Sequence, residues 1–147
     1  MRAEQLAHKI WLALDKVRDK EICTSTEGVA LIAKIQTRDA FSCAFESLSL
    51  RWEVKDNWEA LAERCEKALK TLHKDFTLVE RDDLNQLALY RSPLTREFYW
   101  EAQLKREKIA ILTVNRYRIH DGSRRTFEPF ILTEEQLTEF IASAVEV

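Results

Sequence analysis

Three stretches of this chain place apolar residues at the three-four spacing of an amphipathic helix. The first covers residues 3–18, and the second covers Asp56–Lys74. The third begins after Thr133. Two pairs of residues have the spacing of a capping box and mark helix starts: Asp56 with Glu59, and Thr133 with Gln136. Each apolar stripe requires a surface to pack on, so we expect the helices to lie on a sheet.

Shorter runs of alternating or continuous apolar residues predict strands between these helices. The predicted strands cover residues 29–35, 40–54, 76–81, 87–91, 98–105 and 109–119, with a return strand that reaches Leu132. Residues 23–28 are rich in Ser and Thr, and we interpret them as a connection. Pro129 indicates an edge or irregular position in the return strand, because proline cannot donate a hydrogen bond to a strand ladder.

The strand over residues 40–54 changes parity in its middle. Its first apolar residues alternate on one face (Phe41, Cys43 and Phe45), and the next ones alternate on the other (Leu48, Leu50 and Trp52). An unbroken strand cannot place both sets on one face, because successive side chains point to opposite sides. The pattern therefore predicts a bulge or bend near Glu46-Ser47, or a strand that contacts two layers.

The order of elements, α-ββ-α-ββ-βββ-α, is typical of an α+β fold. We predict a single domain over residues 1–147, with a mainly antiparallel sheet of about five to seven strands and amphipathic helices packed on it. Two of the predicted strands, 29–35 and the first half of 109–119, are apolar on both faces. Both faces of the sheet should therefore be partly covered, by helices divided between them or by a second copy of the chain.

The sequence Asp121-Gly122 predicts a tight hairpin, since glycine tolerates the positive φ that such turns require. With a two-residue loop, residue 118 would face 125 across the ladder, and residue 116 would face 127. Five basic side chains flank this turn: Arg116, Arg118, His120, Arg124 and Arg125. Guanidinium groups that share a face would bind a phosphate, a carboxylate or an acidic partner. The alternative is a solvated hairpin whose charges prevent aggregation at a sheet edge.

The composition fits a folded globular protein, with 46% hydrophobic and 33% charged residues. Residues 81–125 are basic, whereas residues 126–147 contain five Glu and no Lys or Arg, which is not the distribution of a dedicated nucleic-acid binder. No stretch has the roughly 20 apolar residues of a membrane span, and the first segment lacks a signal-peptide pattern. Three widely spaced cysteines indicate free thiols, so we expect a cytoplasmic protein.

No residue pattern commits the chain to a reaction. Cys43 and Cys65 lie in apolar company and the three histidines are dispersed, so we predict neither a Cys–His nucleophile nor a metal site. With only two glycines the chain has no nucleotide-binding loop, and we expect no cofactor. Glu46 and Glu128 occupy strand positions. On an inner face either would serve as an acid or base, whereas a bulge would turn Glu46 outward.

We therefore predict a non-enzymatic protein-interaction module, of the adaptor or chaperone kind, that binds a protein partner and forms a homodimer through a sheet face. The element order is similar in outline to small α+β scaffolds that act as adaptors and secretion-type chaperones, and to ligand binders whose helices lie on a curved sheet. The first alternative is a small-ligand binder or enzyme with an apolar cavity between helices and sheet. The second is binding of nucleic acid or another anion by the arginine-rich hairpin, with strand aromatics such as Trp52, Tyr90, Trp100 and Tyr117 stacking on bases.

Overall fold

A computed structural model describes residues 2–16, 21–122 and 124–145, which form three helices and a sheet of nine strands. The helices are α1 (Ala3–Lys16), α2 (Trp58–Lys70) and α3 (Glu134–Ala144). The strands are β1 (Glu21–Thr26), β2 (Val29–Arg38), β3 (Ser42–Trp52), β4 (Thr77–Asp82), β5 (Leu87–Arg91), β6 (Phe98–Arg106), β7 (Ala110–Ile119), β8 (Arg125–Phe127) and β9 (Phe130–Thr133). The predicted α+β class is confirmed.

The sheet is antiparallel and runs in the order β1-β2-β3-β7-β6-β5-β4. The strand β7, whose first half is apolar on both faces, is therefore central. The predicted element order is wrong in two places. Residues 21–26 form β1 instead of a connection, and the return strand is divided into β8 and β9. The pattern of β1 is weak because this strand lies at the edge of the sheet and only Ile22 is buried in it.

Two antiparallel meanders meet at one seam in the middle of the sheet. The seam joins β3 to β7, from the pair Leu48 and Val114 to the pair Trp52 and Ala110. Beyond the pair Leu48 and Val114 the two strands separate. The first residues of β3 then pair with β9, and the last residues of β7 pair with β8. We call β8 and β9 together the wedge, because they occupy the gap between β3 and β7. Pro129 lies between β8 and β9, outside both ladders.

The predicted break in the long strand is confirmed as a bulge at Glu46. Lys34 pairs with Ser47, and the next residue of β2, Ile35, pairs with Phe45, so Glu46 is the additional residue. The bulge resets the parity, and the apolar residues on both sides of it are buried: Cys43, Phe45, Leu48, Leu50 and Trp52. Phe41 does not share their face, because it precedes β3 and its side chain is 81% exposed.

All three helices form one layer, in which α3 contacts both α1 and α2 and also covers β3 and β9. Large apolar side chains fill the space between this layer and the sheet: Leu6, Ile10, Phe45, Leu61, Leu69, Phe76, Leu112, Phe130, Leu137 and Phe140. Burial stabilises the two layers by about 25 cal/mol for each Å² of apolar surface removed from water. The expected cover of the second sheet face is therefore not supplied by a helix in the part of the chain that the structure describes.

The helix starts agree in part with the predicted capping boxes. In α3 the predicted box is confirmed: the Gln136 N–H donates to the Thr133 side chain, and the Thr133 N–H donates to the Gln136 side chain. In α2 the predicted cap at Asp56 is wrong. The N-cap is Asn57, whose side chain accepts from the Ala60 N–H at 2.8 Å. Residues 17 and 18, which the pattern assigns to α1, lie outside the described residues.

We expect only one of the three thiols to react in the folded protein. Cys23 is exposed on β1, whereas burial raises the pKa of Cys43 to about 11 and that of Cys65 to about 12. Because the thiolate is the nucleophile that attacks a thiol reagent, the buried thiols are protected both by exclusion of the reagent and by protonation. Titration with a chromogenic disulfide near pH ~8 should count one thiol before denaturation and all three afterwards. A Cys23→Ala variant that reacts at once would contradict this structure.

Candidate interaction site on the outer sheet face

Strand alternation gives the sheet a helix face and an outer face. On the helix face, Leu50, Leu112 and Leu104 are paired across β3, β7 and β6, and all three are buried. One position along, the paired residues are polar and partly or fully exposed: Ser49, Thr113 and Gln103. This second set defines the outer face, which no helix within residues 2–16, 21–122 and 124–145 covers.

The hairpin register separates arginines that the sequence predicts to share a face. The His120 N–H donates to the Arg124 C=O, and Arg118 faces Thr126. The predicted register, with residue 118 facing 125, is therefore wrong by one residue. A one-residue shift moves a side chain to the other face, so Arg118 and Arg125 lie on opposite faces of the sheet. Ser123, which follows Asp121-Gly122 in the chain, lies outside the described residues.

The other basic residues of the hairpin lie apart from Arg125. The guanidinium groups of Arg116 and Arg118 lie 4.5 and 5.5 Å from the centre of the Phe98 ring. Arg118 also forms an ion pair with a carboxylate at 2.8 Å, that of Glu97. The Nε2 atom of His120 lies 2.8 Å from a threonine hydroxyl on β8, and Arg124 is exposed. Anion binding by the hairpin stays a prediction, but Arg116 and Arg118 lie beside Phe98 whereas Arg125 lies on the opposite face of the sheet.

Arg125 belongs to a cluster on the outer face that is centred on a buried carboxylate. Glu101 is 4% exposed, and it accepts hydrogen bonds from Arg91 Nε at 2.8 Å and from Arg125 Nη1 at 3.3 Å. Arg125 Nη1 also donates to the Tyr99 hydroxyl at 2.6 Å, and the guanidinium lies 3.9 Å from the centre of the Tyr117 ring. The hydrogen bonds to Tyr99 and to Glu101 raise the pKa of Arg125. We call these five residues the Glu101 cluster.

Stacked rings connect the Glu101 cluster to the wedge. Tyr99 stacks on Tyr117 with ring centres 5.5 Å apart, and Tyr117 stacks on Phe127 at 5.1 Å. The three rings belong to β6, β7 and β8, so they cross three strands of the outer face. Burial raises the pKa of the Tyr117 hydroxyl. The stack ends at Phe127, whose side chain is 61% exposed, and so leads from a buried carboxylate to open apolar surface.

The wedge exposes two large apolar side chains on the outer face. Phe127 is one, and Ile131, which pairs with Ala44 and is 66% exposed, is the other. A groove of about 660 Å³ beside Phe127 is lined by Lys34, Gln36, Glu46, Ser47, Phe127 and Pro129. Glu46 thus lines a surface groove and does not face the core. Exposed apolar surface with a polar rim is typical of an interaction site.

The cluster surrounds a buried carboxylate with two partly exposed guanidinium groups. Arg91 and Arg125 donate three hydrogen bonds to the two oxygens of Glu101. The side chains of Arg91 and Arg125 are 45% and 41% exposed, and each uses only one nitrogen in the hydrogen bonds of the cluster. Their remaining N–H groups are available to an acceptor on another molecule. Burial raises the pKa of the Cys43 and Cys65 thiols, which is the opposite of nucleophile activation.

Other kinds of site are not found in the described parts of the chain. They contain no group of three or more His, Cys, Asp or Glu side chains that could hold a metal ion. Among the same residues, no helix combines the length and the apolar character needed to cross a membrane. Comparison of the chain with protein-family models finds no match, and comparison with curated proteins finds none either. The function is therefore inferred from the geometry of the outer face.

Sequence reasoning missed Arg91, Tyr99 and Glu101. The alternation of β6 assigns Tyr99 and Glu101 to a wet face, but Glu101 is buried beneath Arg91 of β5 and Arg125 of β8. One signal was available, because Arg91 and Glu101 have opposite charges and are paired across β5 and β6. This charge pair can be recognised in the sequence only if the register of β5 and β6 is known, and the sequence of the loop between them does not reveal that register.

Proposed function

We propose that this chain is a non-enzymatic protein-interaction module, of the adaptor or chaperone kind, whose outer sheet face binds a protein partner. One observation carries the proposal. The helices form one layer on the opposite face, which leaves Phe127, Ile131 and the adjoining Glu101 cluster uncovered within the described chain. The three free cysteines support a reducing compartment such as the cytoplasm as its location.

The outer face favours a partner segment that carries both an apolar side chain and a carboxylate. Phe127 and Ile131 offer exposed apolar surface for the first. The unused N–H groups of Arg91 and Arg125 suit the second, because guanidinium groups bind carboxylates with paired hydrogen bonds. Both features lie on one surface, since Phe127 stacks on Tyr117 and Tyr117 contacts Arg125.

Packing and charge support this proposal over its two alternatives. Fully buried side chains fill the layer in which a ligand cavity would lie: Phe45, Leu50, Leu112, Phe130 and Phe140. Trp52 and Tyr90, which the sequence offers as base-stacking residues, are buried on the helix face. Glu101 neutralises part of the positive charge on the outer face, which weakens the attraction for a phosphate backbone.

Removal of the Phe127 ring is expected to weaken partner binding and leave the fold intact. The probe is a labelled peptide selected from a random display library on the immobilised wild-type chain, with its affinity measured by fluorescence anisotropy. Phe127→Ala should raise Kd about thirtyfold, since a central aromatic contact contributes about 2 kcal/mol. Arg125→Ala should weaken binding of those peptides that contain a carboxylate.

Leu84→Ala is the matched control, because it removes a 91% exposed apolar side chain from the β4–β5 turn without altering the outer face. Its Kd should stay within about twofold of the wild-type value. The proposal fails if no selected peptide is sensitive to Phe127→Ala.

Two further measurements identify the partner class. The first is sedimentation velocity at about 10–50 μM. A wild-type dimer that the Phe127→Ala substitution dissociates would identify a second copy of the chain as the partner, whereas a wild-type chain that is strictly monomeric would exclude the homodimer. A single-stranded oligonucleotide that binds with steep salt dependence would favour the nucleic-acid alternative instead.

A further inference from the structure

A second candidate surface, separate from the outer face, lies between α1 and α3. A groove of about 810 Å³ is lined by Glu4 and His8 of α1, by Glu134, Glu135 and Glu139 of α3, and by Phe41 of the loop before β3. The two helices are in direct contact, so their side chains form the floor of this groove. None of these residues belongs to the Glu101 cluster, and the wedge reaches the groove only through Thr133, at the end of β9.

Phe41 stands in this groove with 81% of its side chain exposed, on a backbone that is held at three points. The Asp39 carboxylate accepts from the N–H groups of Phe41 and Ser42 at 2.8 and 2.9 Å, and these bonds lower the pKa of Asp39. The Phe41 C=O accepts from the Glu134 N–H at 3.2 Å. A ring on a fixed backbone loses little conformational freedom when a partner covers it. Such rings are typical binding anchors.

The charge of the groove is strongly negative. Among the described residues that line it, four are glutamates and one, His8, can carry positive charge. The His8 Nδ1 atom lies 3.0 Å from Glu134. The positive end of the α3 dipole explains Glu134 and Glu135, which lie in its first turn. It does not explain Glu139, or Glu4 from another helix. Residues 126–147 contain no Lys or Arg that could neutralise this side of the groove.

We propose that this groove binds a basic amphipathic helix of a protein partner. An apolar side chain of that helix packs on Phe41, and its Lys or Arg side chains face the glutamates of α1 and α3. Two adjacent helices form a shallow channel into which a third helix fits by ridge-into-groove packing. Charge complementarity selects a basic partner and disfavours a second copy, because two copies of this groove would set identical acidic residues against each other.

A synthetic peptide provides the probe for this groove. We suggest a fluorescein-labelled helix of about 18 residues, with Leu at positions i, i+3, i+4 and i+7 and Lys elsewhere. The basic peptide should bind the wild-type chain with an affinity that falls as salt concentration rises, and a version with Glu in place of every Lys should not bind. Phe41→Ala and the double variant Glu135→Lys/Glu139→Lys should each raise Kd at least about tenfold.

A charge reversal on another helix provides the matched control. Glu59 and Glu63 of α2 are exposed, four residues apart, and the first lies in the first turn of its helix, as Glu135 does in α3. Glu59→Lys/Glu63→Lys should leave Kd within about twofold. Phe127→Ala should also leave it unchanged, so this test is separate from that of the outer face.

Three results would overturn the proposal. The first is no binding of the basic peptide to the wild-type chain, and the second is equal weakening by the two charge-reversal variants. The third is a self-associated wild-type chain that Phe41→Ala converts to monomer in sedimentation velocity, because the groove would then hold a second copy.

Discussion

Replacing Phe130 by alanine is expected to lower the free energy of unfolding by about 3–5 kcal/mol. The ring is 2% exposed on β9, stacks on Phe45 with ring centres 5.8 Å apart, and contacts Trp100 at 4.9 Å. Its partners belong to β3 and β6, so the ring joins the two meanders through the wedge. Because whole domains are stabilised by only about 5–15 kcal/mol, this loss would be a large fraction of the total. Denaturant unfolding followed by circular dichroism measures it.

Ile131→Ala is the control for this prediction, because Ile131 follows Phe130 on the same strand and points to the opposite face. Its side chain is 66% exposed, so the free energy of unfolding should change by no more than about 0.5 kcal/mol. An equal loss in the two variants would show that the wedge does not pack as described. A stability change below about 1 kcal/mol for Phe130→Ala would show the same.

Raising the pH above about 9 is expected to destabilise the fold through its two buried thiols. Burial raises the pKa of Cys43 to about 11 and that of Cys65 to about 12, whereas both ionise near pH ~8.5–9 in the unfolded chain. The unfolded state therefore loses these protons first. The stability that the neutral thiols contribute is complete below about pH 8.5 and is lost as the pH rises towards the folded-state values. Each thiol contributes a slope of about 1.4 kcal/mol per pH unit in this window.

Unfolding in denaturant at several pH values between about 8 and 11, with a reducing agent present, measures this slope. The double variant Cys43→Ala/Cys65→Ala should show a shallower decline, and Cys23→Ala should keep the wild-type decline because Cys23 is exposed. Tyr90 adds to the loss at higher pH, since burial raises the pKa of its hydroxyl, which donates to a helix carbonyl at 2.7 Å. Identical slopes in the wild type and the double variant would exclude the thiols as the cause.

Features that depend on local spacing could be predicted from the sequence. The capping box at Thr133 depends only on two residues that are three positions apart. The apolar residues of β3 change parity at Glu46, and a bulge is the simplest way to keep both sets on one face. The α+β class follows in the same way from the order of helical and alternating patterns. β1 was missed because an edge strand with a single buried residue has almost no alternation to detect.

The candidate site depends on register, which local spacing does not determine. A turn one residue longer than predicted moves Arg125 away from Arg118 and brings it to Tyr99 and Glu101 of β6, which is separated from β8 by β7. The burial of Glu101 likewise depends on Arg91, and the sequence of the loop that joins its strand to β6 does not reveal the register between them. The sequence therefore indicates which residues are charged or aromatic, but the sheet decides which of them meet.

The seam between β3 and β7 implies an order of events in folding. Within each meander the paired strands are neighbours in sequence, whereas Leu50 meets Leu112 only after a loop of about sixty residues has closed. We therefore expect the meanders to form early and their joining to be the slow step. β8 pairs with β7 as a local hairpin, whereas β9 pairs with β3, so the wedge is complete only after the two meanders have met. Until then the inner edges of both strands are unpaired, and a chain halted at this stage would be prone to aggregation or domain swapping.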